Sequence, residues 1–582
     1  MDNQRNLLLA VALCAALLLG WELVVSRMYP QPAAIEQAER PDTPAGQLAD
    51  ELPGDRPPVT NQGAPLPESR PMTLDQALAI PGRVRIDSTE VVGSINPVGA
   101  RIDDIALKTH RETVEPDSGP VRLFAPAGTP LQQFAQFGWV GEGIEVPDGR
   151  TRWSVEGDNL TQGSPVVLTW ANETGQSFAI RFTIDEHYMI TATQSVANRG
   201  DGSVVVRPFA TVSRTSTTAS KDTWLVHSGP IGAFDGSVDF GTGYDEVAEA
   251  GRIAGEGAPD WLGFTDIYWL SALVPDSGAG ADADFRSLGN DLYRADLIYE
   301  PVAVAAGRQV TRTTRLFAGA KETELLDAYE AQGITNFGLS IDWGWFRWFE
   351  KPIFWVLRQL FDLIGNFGVA IMALTVIIRG LMFPVAQKQF ASMAAMRAIQ
   401  PKMKALQERY KDDRQKQQQE IMALYKREGV NPLAGCLPLI LQIPIFFALY
   451  KTLILAIEMR HQPFALWIRD LSAPDPATIL NLFGLLPFTP PSFLAIGVLA
   501  VLMGITMWLQ FKLNPAQMDP MQQQIFMIMP WVLMFVMAPF AAGLLLYWTT
   551  SNVLTIAQQW FLYSRHPQLK AQKDKAAEEA KA

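Results

Sequence analysis

The chain has 582 residues, 48% of them hydrophobic, with 48 Lys/Arg against 60 Asp/Glu for a formal net charge of −12, and two cysteines. That length is too great for one ordinary domain, and Cys14 and Cys436, far apart and each in apolar surroundings, argue against a disulfide framework. Residues 26–340 carry 24 Lys/Arg and 43 Asp/Glu and the rest 24 and 17, so an acidic water-soluble part is joined to a basic part in which long apolar runs alternate with charged loops.

The apolar stretch Leu7–Val25 is interrupted by Glu22 and followed by VVSRMYPQPA, which offers no small-residue cleavage site; Leu13 before Cys14 spoils a lipoprotein reading. An uncleaved transmembrane anchor is therefore expected over residues 1–28. A linker is expected over 29–81, because residues 30–71 hold ten prolines and few aromatics, a composition that opposes a packed core.

From residue 82 the pattern changes. PVVLTW (165–170), SFAIRFTI (177–184), YMITATQSVAN (188–198), SVVVRPFATVS (203–213) and RQVTRTTRLFAG (308–319) are rich in β-branched residues and bounded by Gly, Asn, Asp or Pro. The first helical periodicity is ETELLDAYEAQ (322–332). Residues 82–340 are thus expected to form a large antiparallel β-sandwich closed by a short helix. No HExxH, GxSxG or phosphate loop is present, and the many carboxylates read as a solvated surface.

Residues 341–363 crowd aromatics around Arg347, Lys351, Arg358 and Asp362. This segment is too charged to span a membrane and suits an amphipathic helix at the interface. The alternative is a soluble helix packed beneath the β-domain.

Five apolar runs follow, near Ile364–Ala386, Leu437–Ile457, Phe493–Phe511, Ile525–Phe540 and Ala541–Tyr563. With the N-terminal anchor they predict six transmembrane helices. Loop 387–432 holds ten Lys/Arg and five Asp/Glu, whereas 458–492 holds only Arg460 and Arg469 against three acids. The positive-inside bias makes 387–432, 512–524 and both termini cytoplasmic and puts the acidic domain outside, in the periplasm of a Gram-negative cell. Within 387–432, Met393, Met396, Ile399, Met403, Leu406 and Tyr410 share one helix face; Asp412 and Asp413 can cap a second helix ended by Gly429 and Pro432. These make a helical hairpin whose methionines either meet irregular partners or pack its own seam.

From Ile364 to Ala386 the only charge is Arg379, at a cost of roughly 2.5–3.5 kcal/mol near mid-helix. Either its head snorkels to the cytoplasmic interface or it sits in a wet cavity within the bundle. Thr375 lies one turn earlier on its face, Gln442 and Gln510 sit in other spans, and Tyr547, Trp548, Thr549, Thr550, Ser551 and Asn552 form six consecutive hydrogen-bonding residues in the last. So many polar groups favour the cavity. Lys451 reads as a snorkelling lysine. None of the five spans holds Asp or Glu between its ends, so the arginine has no acidic partner there, unlike the paired charges usual in a pump or carrier.

The motifs LTVIIRGLMFP (374–384), NPLAGCLPLILQIPIFFALY (431–450), PFALWIRDLSAPDP (463–476), DPMQQQIFMIMP (519–530) and GLLLYWTTSNVLTIAQQW (543–560) closely resemble the YidC membrane-protein insertases. The resemblance implies a multi-domain membrane protein of the bacterial inner membrane. Its all-α polytopic bundle has six transmembrane helices, five forming the insertase core over 364–565 around a hydrophilic groove, and it carries a periplasmic antiparallel β-sandwich without established catalysis. It carries the groove arginine and threonine onto Arg379 and Thr375 and the last helix's aromatics onto Tyr547 and Trp548, with Gln442, Gln510 and Ser551 completing the expected groove. It implies insertion and folding of nascent membrane proteins, alone or with the Sec translocon, without an enzyme activity. The hairpin would meet the nascent chain and ribosome through Met393, Met396, Met403, Arg397, Lys402 and Lys404, the signal-recognition machinery being a further expected partner. The basic tail 566–582 reaches weakly toward ribosomal RNA. No cofactor, metal or DNA partner is expected. Two departures stand out: NLFGLLPFTPPS (481–492) is longer than the resemblance leads one to expect, and APFAAG (538–543) has alanines where a proline–serine pair is common. A secondary transporter with an external binding domain is the competing class, although no internal repeat supports it. A periplasmic carbohydrate enzyme on a membrane scaffold is a third.

Overall fold

The structure, a computed structural model, describes residues 72–565 apart from 116, 221–225, 345–346, 390–398, 412, 430–436, 479, 482, 484–485, 487–494 and 514–519. Of 400, 414, 437–442, 520–526 and 563–565 it describes the backbone alone. The expected anchor, most of the linker, the tail, Met393, Met396 and Arg397 lie outside the described residues, as does the side chain of Gln442.

The runs read as strands fold as strands. In Gln176–Ile184 the residues Phe178, Ile180, Phe182 and Ile184 are buried while those between them are less so, the period of two that a strand with one core face requires. It pairs with Met189–Asn198, which pairs in turn with Gln309–Ala320. These form the middle of a nine-stranded sheet. An eleven-stranded sheet is built around Gln133–Glu142, Val204–Thr215 and Leu292–Tyr299, antiparallel in that order. The two sheets face each other through aromatic side chains. Phe137 of one lies edge-on to Phe182 of the other at 5.5 Å, and Trp139 to Phe178 at 5.2 Å. This is sandwich packing. Its short helices are α1 (Leu74–Leu78), α2 (Tyr244–Ala250) and α3 (Thr323–Ala331).

The remaining described helices are α4 (Arg347–Ile364), α5 (Phe367–Leu381), α6 (Gln400–Arg409), α7 (Arg414–Glu428), α8 (Leu437–Leu455), α9 (Val498–Leu513), α10 (Pro520–Met537) and α11 (Ala542–Arg565). The corner between α4 and α5 takes two residues. Gly365 ends α4 in the left-handed region at φ 75°, donating to the Phe361 carbonyl, and Asn366 caps α5 by accepting from the Val369 amide at 3.0 Å. Helix α11 is central: α5 and α9 pack on it, with a lighter contact from α8, while α10 packs on α9. Outward-facing residues of the bundle are apolar, among them Val376, Leu381, Ile528, Phe535 and Val536, as a lipid-facing surface requires.

Helix length does not by itself establish six spans. Among the described residues no single helix is long and apolar enough to cross a membrane. Phe367–Leu381 and Phe383–Gln389 pass together but are bent by 56° at their junction. Pro384 lies just past that junction and cannot supply the amide an unbroken helix needs. Within α8, α9 and α10 the described apolar stretches are Ile443–Leu455, Val498–Leu513 and Met527–Met537, and α8 and α10 run on through Pro444 and Pro530.

One face of helix α4 packs on its neighbours. Ile353, Phe354 and Leu357 are buried against α5 and α8, and Lys351 and Arg358 pair with Asp327 (3.2 Å) and Glu324 (3.0 Å) of α3. Its other face exposes Trp348 and Trp355, one heptad apart.

The connection 456–476 ties the pieces together. Asp475, 4% exposed, accepts from Trp467 Nε1 (2.9 Å), the Ala477 amide (3.0 Å) and the Leu499 amide at the start of α9 (2.8 Å). The carbonyls of Leu471 and Ala473 accept from the Gly543 and Ala542 amides that begin α11. The Phe464 carbonyl accepts from Asn366 Nδ2 at 2.9 Å, and Phe464 packs so closely on Gly368 that a Cβ there would lie 2.0 Å from its ring. Arg460 donates to the carbonyls of Arg111 (2.7 Å) and Glu112 (3.1 Å) in the sandwich and lies over Trp269 (5.2 Å).

Candidate functional site

The polar run of α11 exists because this helix is surrounded. Successive residues of a helix point 100° apart, so a helix with three neighbours needs polar groups on three faces. Ser551, 4% exposed, faces α5 and accepts from Arg379 through Nε at 3.2 Å and again through Nη2. Gln558, two turns on, donates to the Arg379 carbonyl at 3.4 Å. Asn552 turns to α9, donating to Thr506 Oγ1 at 3.1 Å. Trp548 turns to α8 and meets Phe446 edge-on at 4.9 Å, and Phe446 continues to Tyr450 and then Phe540.

The residues singled out from sequence therefore divide. Arg379 and Ser551 are joined directly, and Tyr547, buried, lies one turn before Ser551 on α11. Thr375 is buried beneath Arg379, its hydroxyl bonded to the Ile371 carbonyl of its own helix at 2.7 Å. Gln510 lies one turn beyond Thr506 on α9. Trp548 belongs to the aromatic ladder. Among the described residues Arg379 forms no ion pair. Among the described residues the buried side-chain oxygens of Gln510, Thr549 and Gln559 find no hydrogen-bond partner. Gln558, Thr506, Gln559 and the ladder partners Phe446 and Tyr450 were missed. The glutamines could have been found at Ser551 plus seven and plus eight, one further double turn of the same helix.

In the hairpin, Met403 is half-buried, with its sulfur 3.3 Å from the Tyr425 hydroxyl, so it serves the seam between α6 and α7. Lys402 pairs with Glu428 at 2.8 Å, and Lys404 is exposed. Asp413 caps α7 by accepting from the Lys416 amide, as expected.

Lys451 does not snorkel. Its ammonium donates to the Asp342 carbonyl (2.8 Å) and carboxylate (3.2 Å), and its side chain is only 12% exposed. Sequence spacing could not reveal this, because Asp342 is 109 residues away at the exit of the sandwich. On the sandwich side Lys321, fully buried, is pushed down to about 8 by desolvation, against the pull of Asp266 and Asp342. Glu350 of α4, 2% exposed, is pushed up to about 7 by burial, which outweighs Lys451 nearby.

A helical bundle with a largely apolar exterior and a buried arginine–serine contact, joined to a large antiparallel β-sandwich, defines a membrane protein that carries a soluble domain. Residues 359–570 match the family described as 60Kd inner membrane protein, and residues 83–356 match the YidC periplasmic domain. The protein is similar to relatives named membrane protein insertase YidC. That of Zymomonas mobilis is 45% identical over 99% of this chain and 97% of its own. That of Methylobacterium radiotolerans is 42% identical over 97% and 95%. That of Dinoroseobacter shibae is 43% identical over 97% and 96%. A YidC insertase crystal structure overlays 82% of this chain and 91% of its own, at TM-score 0.36 and 18% identity, too loosely for residue-by-residue comparison. This chain belongs to the YidC family of membrane-protein insertases, inner-membrane proteins with a periplasmic domain, and its β-sandwich is that domain.

Proposed function

We propose that this protein inserts nascent transmembrane segments into the inner membrane through a hydrophilic groove lined by Arg379, Ser551 and Tyr547, acting alone or with the Sec translocon. The observation that carries the reading is the Arg379–Ser551 contact: the guanidinium is anchored by a neutral hydroxyl, with no carboxylate paired to it among the described residues. Such a charge is held in place and still attracts an anion. The short polar tail of a substrate enters from the cytoplasm, drawn by Arg379, and finds there a partial replacement for its hydration. The buried oxygens of Gln510, Thr549 and Gln559 have hydrogen-bonding capacity to offer it. The substrate's apolar segment then slides along α5 and α11 into lipid, and its burial drives the step. The termini and the α6–α7 hairpin are cytoplasmic in this reading, with the hairpin and tail meeting the ribosome.

The test is reconstitution of the purified protein in liposomes with a single-span substrate bearing an acidic tail. Insertion without added factors is expected. Solute uptake without insertion would instead favour a transporter. Water-soluble thiol probes should also reach a cysteine placed at 379, the half-buried position of the site, in the intact membrane; failure to reach it removes the groove.

A further inference from the structure

The segment Phe464–Ile468 is a closed turn. The Phe464 amide donates to the Ile468 carbonyl at 3.0 Å, and the Ile468 amide donates to Ala465 at 3.1 Å. At its apex Leu466 holds φ 57° and is 89% exposed, more than any other large hydrophobic residue described. A bulky residue in the left-handed region is strained, and a strained position that displays an apolar side chain to the outside asks for a role. The turn is rigidly mounted. Trp467 is fixed by its indole bond to buried Asp475, Asn366 holds the Phe464 carbonyl, and the Phe464 ring fills the space left by Gly368. Leu363, 83% exposed, lies three residues before Asn366 on the same corner.

The surroundings identify the occupant. Phe464 packs within the first turn of α5, whose outward face is apolar from Val369 onward. The turn therefore lies level with the outer end of a lipid-facing helix, on the side where Arg460 and Lys451 contact the periplasmic sandwich. We propose that the Phe464–Ile468 turn is a fixed wedge that seats Leu466, together with Leu363, in the apolar layer of the outer leaflet, fixing the depth and tilt of the bundle beside the α4–α5 corner. A leucine in lipid is no longer an exposed apolar group, and a turn fixed to the first turn of α5 transmits its seating in the outer leaflet to the bundle.

The test uses the full chain with Cys14→Ala and Cys436→Ala, carrying Leu466→Cys, Leu363→Cys or, as an aqueous reference on the sandwich, Asp117→Cys, each labelled with an environment-sensitive NBD probe and reconstituted in phosphatidylethanolamine–phosphatidylglycerol vesicles. At 466 and 363 the emission is expected to be blue-shifted relative to 117. A lipid with a nitroxide near its headgroup should quench it strongly, and aqueous iodide weakly. Emission at either leucine site that matches 117 and yields to iodide overturns the proposal. So does a probe shielded from both quenchers, because protein, such as a second copy or a partner helix, then covers the turn.

Discussion

Ser551 on α11 accepts the guanidinium of Arg379 on α5 through Nε at 3.2 Å and through Nη2. The two residues are 172 apart in sequence, and the bond joins the helix carrying the bundle's charge to the helix carrying its polar run. A hydroxyl satisfies the donors without cancelling the charge, which separates positioning from electrostatics experimentally.

Arg379→Lys should retain most insertion of substrates with acidic tails, whereas Arg379→Ala and Arg379→Glu should lower it about tenfold or more, a tenfold change being about 1.4 kcal/mol. Ser551→Ala removes an acceptor for a charged donor, worth about 1.5–3 kcal/mol, but leaves the charge, so its loss should be smaller than that of Arg379→Glu. Initial insertion rates in liposomes distinguish these. Equal rates for Lys, Ala and Glu at 379 would remove the electrostatic step.

Much of this arrangement was legible in the chain. A lone arginine in an apolar run and a polar run on another span both announce themselves by composition, and alternation announces Gln176–Ile184. What periodicity cannot show is which neighbour a side chain meets. Ser551 and Asn552 look equivalent as adjacent polar residues in one span, yet one meets Arg379 of α5 and the other Thr506 of α9. Lys451 was misread for the same reason: in sequence it is a lysine near a helix end, and its partner Asp342 arrives from the sandwich. Prolines too act differently by position: Pro384 sits at the bend beyond α5, whereas Pro444 and Pro530 are carried inside α8 and α10.

Breaking the Lys451–Asp342 pair should be costly, since both side chains are largely buried, at 12% and 18% exposure. Lys451→Met leaves the Asp342 carboxylate facing the amides of Gly344 (3.1 Å) and His227 (3.3 Å) without its ammonium. The expected loss is about 3 kcal/mol. Adding Asp342→Ala in the same chain, which removes the orphaned carboxylate, should cost little beyond Lys451→Met alone, the non-additivity measuring the pair. Thermal unfolding in detergent measures the stability, and limited proteolysis between α3 and α4 reports whether the sandwich has come loose from the bundle.

Glu350 predicts a pH dependence at the same junction. Burial raises its folded pKa to about 7 from 4.5, so between these values the folded protein keeps a proton that the unfolded chain has released. Stability is then fully present below pH 4.5, declines as pH rises toward 7, and is level above. Glu350→Gln should abolish this decline and raise stability at pH 8 on the order of 3 kcal/mol, at about 1.4 kcal/mol per unit of pKa. Melting temperatures of both proteins between pH 5 and about 8 check it; parallel curves would show that Glu350 is solvated in the bilayer.

Asp475 is the residue on which the outer end of the bundle depends, and the chemistry of its two oxygens makes the prediction specific. Oδ1 accepts from Trp467 Nε1 and the Ala477 amide, and Oδ2 from the Leu499 amide, so both are committed to N–H donors. No orientation of an asparagine can reproduce this, because its NH2 must confront either the Leu499 amide or the Trp467 indole. The volume is equally constrained: a Cβ on Gly497 would lie 2.5 Å from that of Asp475, leaving little room for the side chain to move away. Asp475→Asn should therefore cost about 2–3 kcal/mol, close to Asp475→Ala despite its similar shape. Hydrogen exchange should speed up first at Leu499 and at the Leu471 and Ala473 pairings with α11, while the sandwich strands stay protected. If Asn behaves as Asp, the carboxylate is not what fastens α9 to the 456–476 connection, and packing around Trp467 must do so instead.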